Sequence, residues 1–338
     1  MLVSIVTVYY NRAEHVIESI KSLLGQSYTN IEVIAVDDGS TDDTLAVMHT
    51  LKDPRLKIIS HSNRGFVKSI IEAVAQSSGE IIAVHGSGDI SYETRIESQL
   101  HVLLTQPQVG VVGCYVENVN TVTNVSFIGK PAINDSIGIT HQLLQGNIFT
   151  HGEVMYRRSV YEQSGGYRDF FKFTQDYDLW LRMSLITQFH VVPEVLYRRY
   201  TLPDGVSASI DKTLMQKYFG EMGKQCVELR MKHKPDLIDS YGMYGSFFRE
   251  RSGRLSKILW RLSLIALYQG DSISAMKINK KSLEEKRTLY NLGLQTILVS
   301  MNRSKWIKRL VVKSLTVVKT RKNRKAADSK KEPQKQIA

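Results

Sequence analysis

Three short stretches place acidic side chains where a ligand could meet them. In VDDGSTDDT (36–44), Asp37 and Asp38 stand side by side at the end of an apolar run. Neighbouring carboxylates repel, so the pair points to a partner at that edge. An acid there can accept the N–H of a nucleobase or the hydroxyls of a ribose. The competing structural use is turn and cap formation, with Ser40 or Thr41 capping a helix that begins near Asp42. In IIAVHGSGDIS (81–91) the apolar run stops at His85, and the turn Gly86-Ser87-Gly88 delivers one carboxylate, Asp89. Such strand ends hold a metal for a phosphate ligand, and two acids are the commoner equipment. Mg²⁺ nevertheless keeps several waters and is commonly held by one or two carboxylates plus the substrate's phosphates, so Asp89 alone is compatible with Mn²⁺ or Mg²⁺. The glycines let backbone N–H groups approach phosphate oxygens. In QDYDLWLR (175–182), Asp176 and Asp178 stand at the start of a helix, where acids cap free N–H groups and complement the dipole.

These residues need a frame. VSIVTVY (3–9), IEVIAVD (31–37), LKIIS (56–60), IIAVH (81–85) and VGVVGCYV (109–116) read as strands. EHVIESIKSLLGQ, TDDTLAVMHTL, FVKSIIEAVAQSSG and ETRIESQLHVLLTQ between them carry helical periods. Continuous apolar strands separated by helices predict an α/β fold whose sheet is mostly parallel and flanked by helices, with ligands outside the carboxyl ends of the strands. Tyr10-Asn11-Arg12, Asp37 to Ser40, His61 to Gly65 and Gly86 to Asp89 all fall at those ends. No GxGxxG follows the first strand, which argues against a dinucleotide site. Short strands and helices are mixed from about Asn118 to Pro203, and the chain is helical after Gly205 through residue 300.

Of the 45 Lys and Arg residues, thirteen lie from Asn302 onward, with two of the 33 Asp and Glu, which leaves 32 basic against 31 acidic residues before that point. The net charge of +12 is therefore a property of the tail. In SKWIKRLVVKSLTVVKTRKNRK, Ile307, Leu310, Val311, Leu315 and Val318 share a helical face with Trp306 at its edge, among Lys305, Lys308, Arg309 and Lys313. A basic amphipathic helix of this kind over 303–325 suits an anionic membrane surface, and no nucleic-acid motif is present. KKEPQKQIA reads as disordered. Cys114 and Cys226 form neither a metal spacing nor a disulfide framework, as expected in a reducing cytoplasm. Arg261 interrupts KILWRLSLIALY, so no segment is expected to span a bilayer, and the first residues lack the pattern of a signal peptide.

VTVYYNR, VDDGSTDDT, the strand ending in GSGD, HGEVMYRRSVYEQSGGYRD and QDYDLWLRM occur in the order and spacing of family 2 glycosyltransferases, and the chain resembles that family over roughly residues 1–200. The resemblance implies a GT-A fold and an enzyme that moves a sugar from a nucleoside diphosphate donor with inversion. It implies that Tyr10, Asn11, Arg12, Asp37, Asp38, Gly65, Ser87 and Gly88 surround the nucleotide-sugar. Asp89 would hold the metal, Asp176 would be the catalytic base, and His151 would lie near acceptor or diphosphate. Leu179, Trp180 and Leu181 are expected to fix their helix against the core, with a place at the acceptor or sugar pocket as a second use for Trp180. Arg157 and Arg158 are expected to be solvated, and Asp178 to cap its helix. The chain departs from the family in having Gly86-Ser87-Gly88-Asp89 where Asp-Ala-Asp-Asp is usual, and Gln175 where a Glu is usual.

The expected organisation is a nucleotide-sugar half (1–117), an acceptor and catalytic half (118–204), a helical region (205–302) and a basic tail (303–338). The expected product is a cell-surface glycan built on a glycan or lipid-linked acceptor, at the inner face of the membrane. A catalytically degenerate nucleotide-binding scaffold and a membrane-associated interaction protein are the alternatives.

Overall fold

The computed structural model describes residues 1–123, 125–201, 210–304, 306–307, 309–311 and 313. Strands β1 (Val3–Tyr9), β2 (Ile31–Asp37), β3 (Leu56–Ser60) and β4 (Ile81–His85) coincide with the apolar runs. They pair in parallel in the order β3-β2-β1-β4, with Tyr9 beside Asp37 and Thr7 beside His85. Alternation along each strand divides the core between the two faces of the sheet. Val6, Val8, Ile34, Val36 and Ile82 pack on one side with Ile70 and Val74 of α3 (Phe66–Ala75), while Val3, Ile5, Val33 and Ala83 pack on the other with Leu100 and Leu103 of α4 (Arg95–Thr105). Helix α1 (Val16–Leu24) follows β1 and buries Val16, Ile20 and Leu23.

The helix expected from Thr41 is short: α2 spans Thr44–Met48. Ser40 and Thr41 do not cap it. The Asp42 carboxylate accepts the Thr44 N–H at 3.0 Å, while the Ser40 hydroxyl accepts the N–H of Asn11.

The two-residue β5 (Ile90–Ser91) precedes α4, and β6 (Val109–Asn120), β7 (Val125–Gly129), β8 (Met155–Arg157) and β9 (Gln188–Thr201) complete the sheet. Among the described residues the order is β3-β2-β1-β4-β8-β6-β9-β5, with β7 on β6. β8 runs antiparallel to both β4 and β6, and β9 runs parallel to β6. The paired arginines at the end of β8 are not solvated. Arg157 donates to the carbonyls of Leu103 and Val109, and Arg158 to those of Val74, Ser77 and Gly79, which joins the strand to two helix ends.

Helices α5 (Ile139–Gln145), α6 (Arg158–Gln163) and α7 (Gln175–Met183) cover this second part. α7 is buried along nearly its whole length. Asp178 does not act as a cap: it forms ion pairs with Arg168 and, at 2.7 Å, with Arg182. Arg168 also reaches Asp236 at 2.8 Å, which in turn meets Arg230 at the end of α8 (Ile210–Arg230) and caps α9 (Leu237–Tyr241). The first compact unit therefore runs from Met1 to Arg249 and includes α8 and α9.

The second unit, Glu250–Ala338, contains α10 (Gly253–Tyr268), α11 (Ser272–Glu285) and α12 (Leu289–Arg303). Small buried polar residues bring these helices close. The Ser256 hydroxyl donates to the Ser282 carbonyl at 2.9 Å, and Asn291 donates to the Lys286 carbonyl at 2.8 Å while completing a capping box with Thr288. No helix among the described residues is long and apolar enough to cross a membrane. Lys305, Lys308, Leu315 and Val318 of the amphipathic tail, with the rest of 314–338, lie outside the described residues, as does Gly205.

Removing one member of a buried ion pair strands the other charge in a medium of low dielectric. Asp178→Ala should lower unfolding free energy by roughly 3–5 kcal/mol in a denaturant titration. A loss below 1 kcal/mol would show that Arg168 and Arg182 do not depend on this carboxylate.

Candidate active site

The loops at the carboxyl ends of β1 and β2 are stitched together before any ligand arrives. Asn11 adopts φ +52°, and its side-chain oxygen accepts the Thr41 N–H at 2.8 Å, while the Arg12 N–H donates to the Thr44 hydroxyl at 2.7 Å. This leaves Tyr10 as an exposed ring at the rim. Gly39 takes φ +71°, and a Cβ there would overlap the backbone of Asn63, so the glycine is required by the close approach of the next loop.

Asp37 and Asp38 are both buried, but in different ways. Asp37 accepts the Ser60 hydroxyl at 3.2 Å and the Ser40 N–H. Asp38 accepts the N–H groups of Arg64 and Gly65 at 3.0 and 3.1 Å and the Ser69 hydroxyl at 2.9 Å. Its carboxylate thus holds the entry to α3, with Gly65 at the N-cap, rather than presenting two free acceptors to a base and ribose.

The turn after β4 is organised from behind. Burial, with the charge of Arg95 adding, pushes the His85 imidazole down to about 3, so the ring is neutral. Its Nε2 lies 3.0 Å from both the Ser19 hydroxyl and the Asp89 carbonyl. Asp89 Oδ2 accepts the Tyr197 hydroxyl at 2.7 Å, and Oδ1 accepts the Tyr200 N–H at 3.0 Å. Burial raises its carboxyl above the usual range. A Cβ at Gly86 would overlap Asp89 Oδ2, so the glycine makes room for this inward carboxylate.

The N–H groups of the two glycines in the turn are not free for phosphate. That of Gly86 donates to the Tyr197 hydroxyl at 2.9 Å, and that of Gly88 to Ser19 at 3.3 Å, because the turn needs them to hold its shape. Ser87 lies half-buried at the edge.

As a cation site this is a sparse donor set. Among the described residues, no three His, Cys, Asp or Glu side chains converge as metal ligands. Each Asp89 oxygen accepts one hydrogen bond and keeps a second lone pair. That suits a divalent ion whose remaining ligands are phosphate oxygens and water, and it does not suit an all-protein cage.

Asp176 begins α7, and its Oδ2 accepts from the Asn147 amide at 3.2 Å. The residue is partly open, yet enough protein surrounds it that desolvation pushes its carboxyl up to about 6. A short chain of contacts leads from Asp176 to Asp89. Asp176 acts electrostatically on Tyr167; the Tyr167 hydroxyl meets His151 Nε2 at 2.7 Å; Gly152 lies directly against the hydroxyl of Tyr197, which binds Asp89.

His151 is neutral, pushed down to about 3 by burial among Phe66, Tyr167 and Trp180. Trp180 takes the core role rather than the sugar pocket: it is 0% exposed and packs on Tyr156, on a helix that is buried along nearly its whole length.

Several groups escaped the reading of the sequence. Glu153 is buried, bonded to the Thr150 hydroxyl at 2.7 Å and pushed up to about 8 by desolvation, so it is protonated at neutral pH. Asn147, Tyr197 and Arg199 also lie here. The one local signal was YRRY, a cluster of polar-tipped and charged side chains at the end of a strand.

Known proteins agree with this architecture. The family model of Glycosyl transferase family 2 matches residues 4–165. The UDP-Glc:alpha-D-GlcNAc-diphosphoundecaprenol beta-1,3-glucosyltransferase WfaP of Escherichia coli is 32% identical over 184 residues, covering 54% of this chain and 70% of WfaP. Other curated relatives are matched over 66% and 31% of their own length. Among solved structures, Staphylococcus aureus TarS 1–349 in complex with UDP-GlcNAc has a TM-score of 0.56 at 18% identity, covering 93% of this chain and 91% of that one. The mannosyltransferase PcManGT from Pyrobaculum calidifontis, in complex with GDP-Man and Mn²⁺, has a TM-score of 0.51 at 15% identity, with 95% and 86% covered. A parallel nucleotide-type sheet joined to an antiparallel second part, the ordered motifs along both, and these likenesses agree: the chain belongs to glycosyltransferase family 2 and has the GT-A fold.

Proposed function

We propose that this protein transfers a sugar from a nucleoside diphosphate-sugar to a hydroxyl of a glycan or lipid-linked glycan, inverting the anomeric centre. The observation that carries the reading is Asp176, a partly open carboxyl titrating near 6 and linked through Tyr167, His151 and Gly152 to the turn that bears Asp89. A base poised near the working pH is suited to take the proton of an attacking hydroxyl. Asn147 orients it from one side.

Tyr10, Asn11, Arg12 and Asp37 would bound the nucleoside, with Asp38 and Gly65 shaping the wall behind. Asp89 would hold Mn²⁺ or Mg²⁺, which when bound neutralises charge on a departing diphosphate. Support for the donor class comes from TarS and PcManGT, which were solved with UDP-GlcNAc and with GDP-Man and Mn²⁺. Support for the acceptor class comes from the diphosphoundecaprenol-linked acceptor in the name of WfaP. The basic stretch 303–325, whose described residues Trp306 and Leu310 are exposed, would hold the enzyme against an anionic membrane at the cytoplasmic face.

A panel of nucleoside diphosphates and their sugars should raise the melting temperature for one base, because a ligand of the native state stabilises it. The shift should shrink with chelator. A shift indifferent to chelator would remove the metal from Asp89, and no shift with any nucleotide would sink the donor reading.

Asp176→Asn should lower kcat by roughly 10²–10⁴-fold with donor affinity nearly intact. In the wild type, kcat should fall below about pH 6, where the base is protonated. A carboxyl raised from 3.8 to about 6 binds its proton more tightly in the folded state. Stability should therefore fall as pH rises across that window in the wild type, and this component should be missing from the variant. Normal turnover by Asp176→Asn would remove the base assignment, and nucleotide binding by a wild type without turnover would favour the scaffold reading.

Deleting residues 303–338 should abolish salt-sensitive sedimentation with phosphatidylglycerol vesicles while sparing nucleotide binding. Undiminished vesicle binding would discard the membrane role of the tail.

A further inference from the structure

We propose that Arg199 binds the diphosphate of the donor, an assignment that rests on the donor reading above. Alternation along β9 sets its direction. Tyr197 reaches the turn at Gly86 and Asp89. Arg198 points the other way, where it pairs with Glu117 at 2.7 Å and lies over the Tyr92 ring. Arg199, two residues after Tyr197, leaves the strand on the Tyr197 side, beside the Tyr200 N–H that binds Asp89.

Its lack of a fixed side-chain partner separates Arg199 from other arginines of this unit. Arg95, Arg157, Arg158, Arg168, Arg182 and Arg198 are all committed to acids or carbonyls. Among the described residues, the Arg199 side chain makes no hydrogen bond or ion pair, and the residue is half-buried. Its charge is nonetheless felt by Asp89, Glu153 and Asp176, which come from three separate segments of the chain.

An uncommitted guanidinium in the midst of acids is suited to a bidentate anion, since its planar fork matches phosphate oxygens. Beside the cation proposed at Asp89, a diphosphate still faces the carboxylate of Asp176, and the N–H groups of Gly86 and Gly88 are spent on Tyr197 and Ser19.

Calorimetry with UDP and uridine, or GDP and guanosine if guanine is the base, tests the assignment on the full chain. Arg199→Gln should weaken the diphosphate by roughly 10- to 100-fold and leave the nucleoside unchanged. Arg199→Lys should recover part of that loss, and the donor KM should rise in step. Unchanged diphosphate affinity in Arg199→Gln would overturn the proposal. So would an equal loss of nucleoside and diphosphate with a lower melting temperature, the signature of a merely structural arginine. If the wild type bound no nucleoside diphosphate, the donor reading would fall and this assignment with it, whereas wild-type binding with an indifferent variant overturns this assignment alone.

Discussion

The hydrogen bonds of one half-buried carboxylate join the two parts of the first unit at the candidate site. Asp89 ends the turn after β4, and its oxygens take the Tyr197 hydroxyl and the Tyr200 N–H from β9, which follows it by more than a hundred residues. The Tyr197 hydroxyl also receives the Gly86 N–H, and Gly152 leaves the space that the hydroxyl fills. The hydroxyl of the fully buried Tyr197 is costly unless paired, so the turn, the His151–Gly152 segment and β9 must settle together. Gly86, which replaces one of the usual acids, takes part in this arrangement with Gly152, since a side chain at either would displace the carboxylate or the phenol.

Burial also explains the division of labour among the acids. Asp178 is fully enclosed and matched by two arginines, and it anchors α7. Asp176, two residues earlier, has an amide from Asn147 and an open edge, and desolvation raises its carboxyl rather than pairing it away. Asp38 spends its oxygens on the loop before α3. Residues of identical chemistry therefore differ in what they can offer a ligand, and the difference lies in the donors that surround them.

The strands of the first half were legible because a parallel sheet covered on both faces demands continuous apolar runs, and β1 to β4 fall on those runs residue for residue. The acids at the strand ends were legible for a related reason: polar residues that interrupt such runs must lie at the edge of the sheet. The family motifs added a role for each. Trp180 lies in the core with Leu179 and Leu181, as that apolar run indicated, and its second use at a sugar pocket falls away because α7 is enclosed along nearly its whole length. Arg157 and Arg158 were misread because their partners are backbone carbonyls at distant helix ends, which have no sequence signature.

The sequence by itself determined the parallel half of the fold, the position of the candidate site at its strand ends, and the concentration of positive charge in the tail, since each follows from local pattern or composition. Only the tertiary structure decided which acids are committed and which remain open, that two of the turn's N–H groups are spent, and that Tyr197 and Arg199 come beside Asp89. The Asp89 turn is tied to β9 by hydrogen bonds across gaps of about a hundred residues, and burial assigns polar atoms partners that no local spacing encodes.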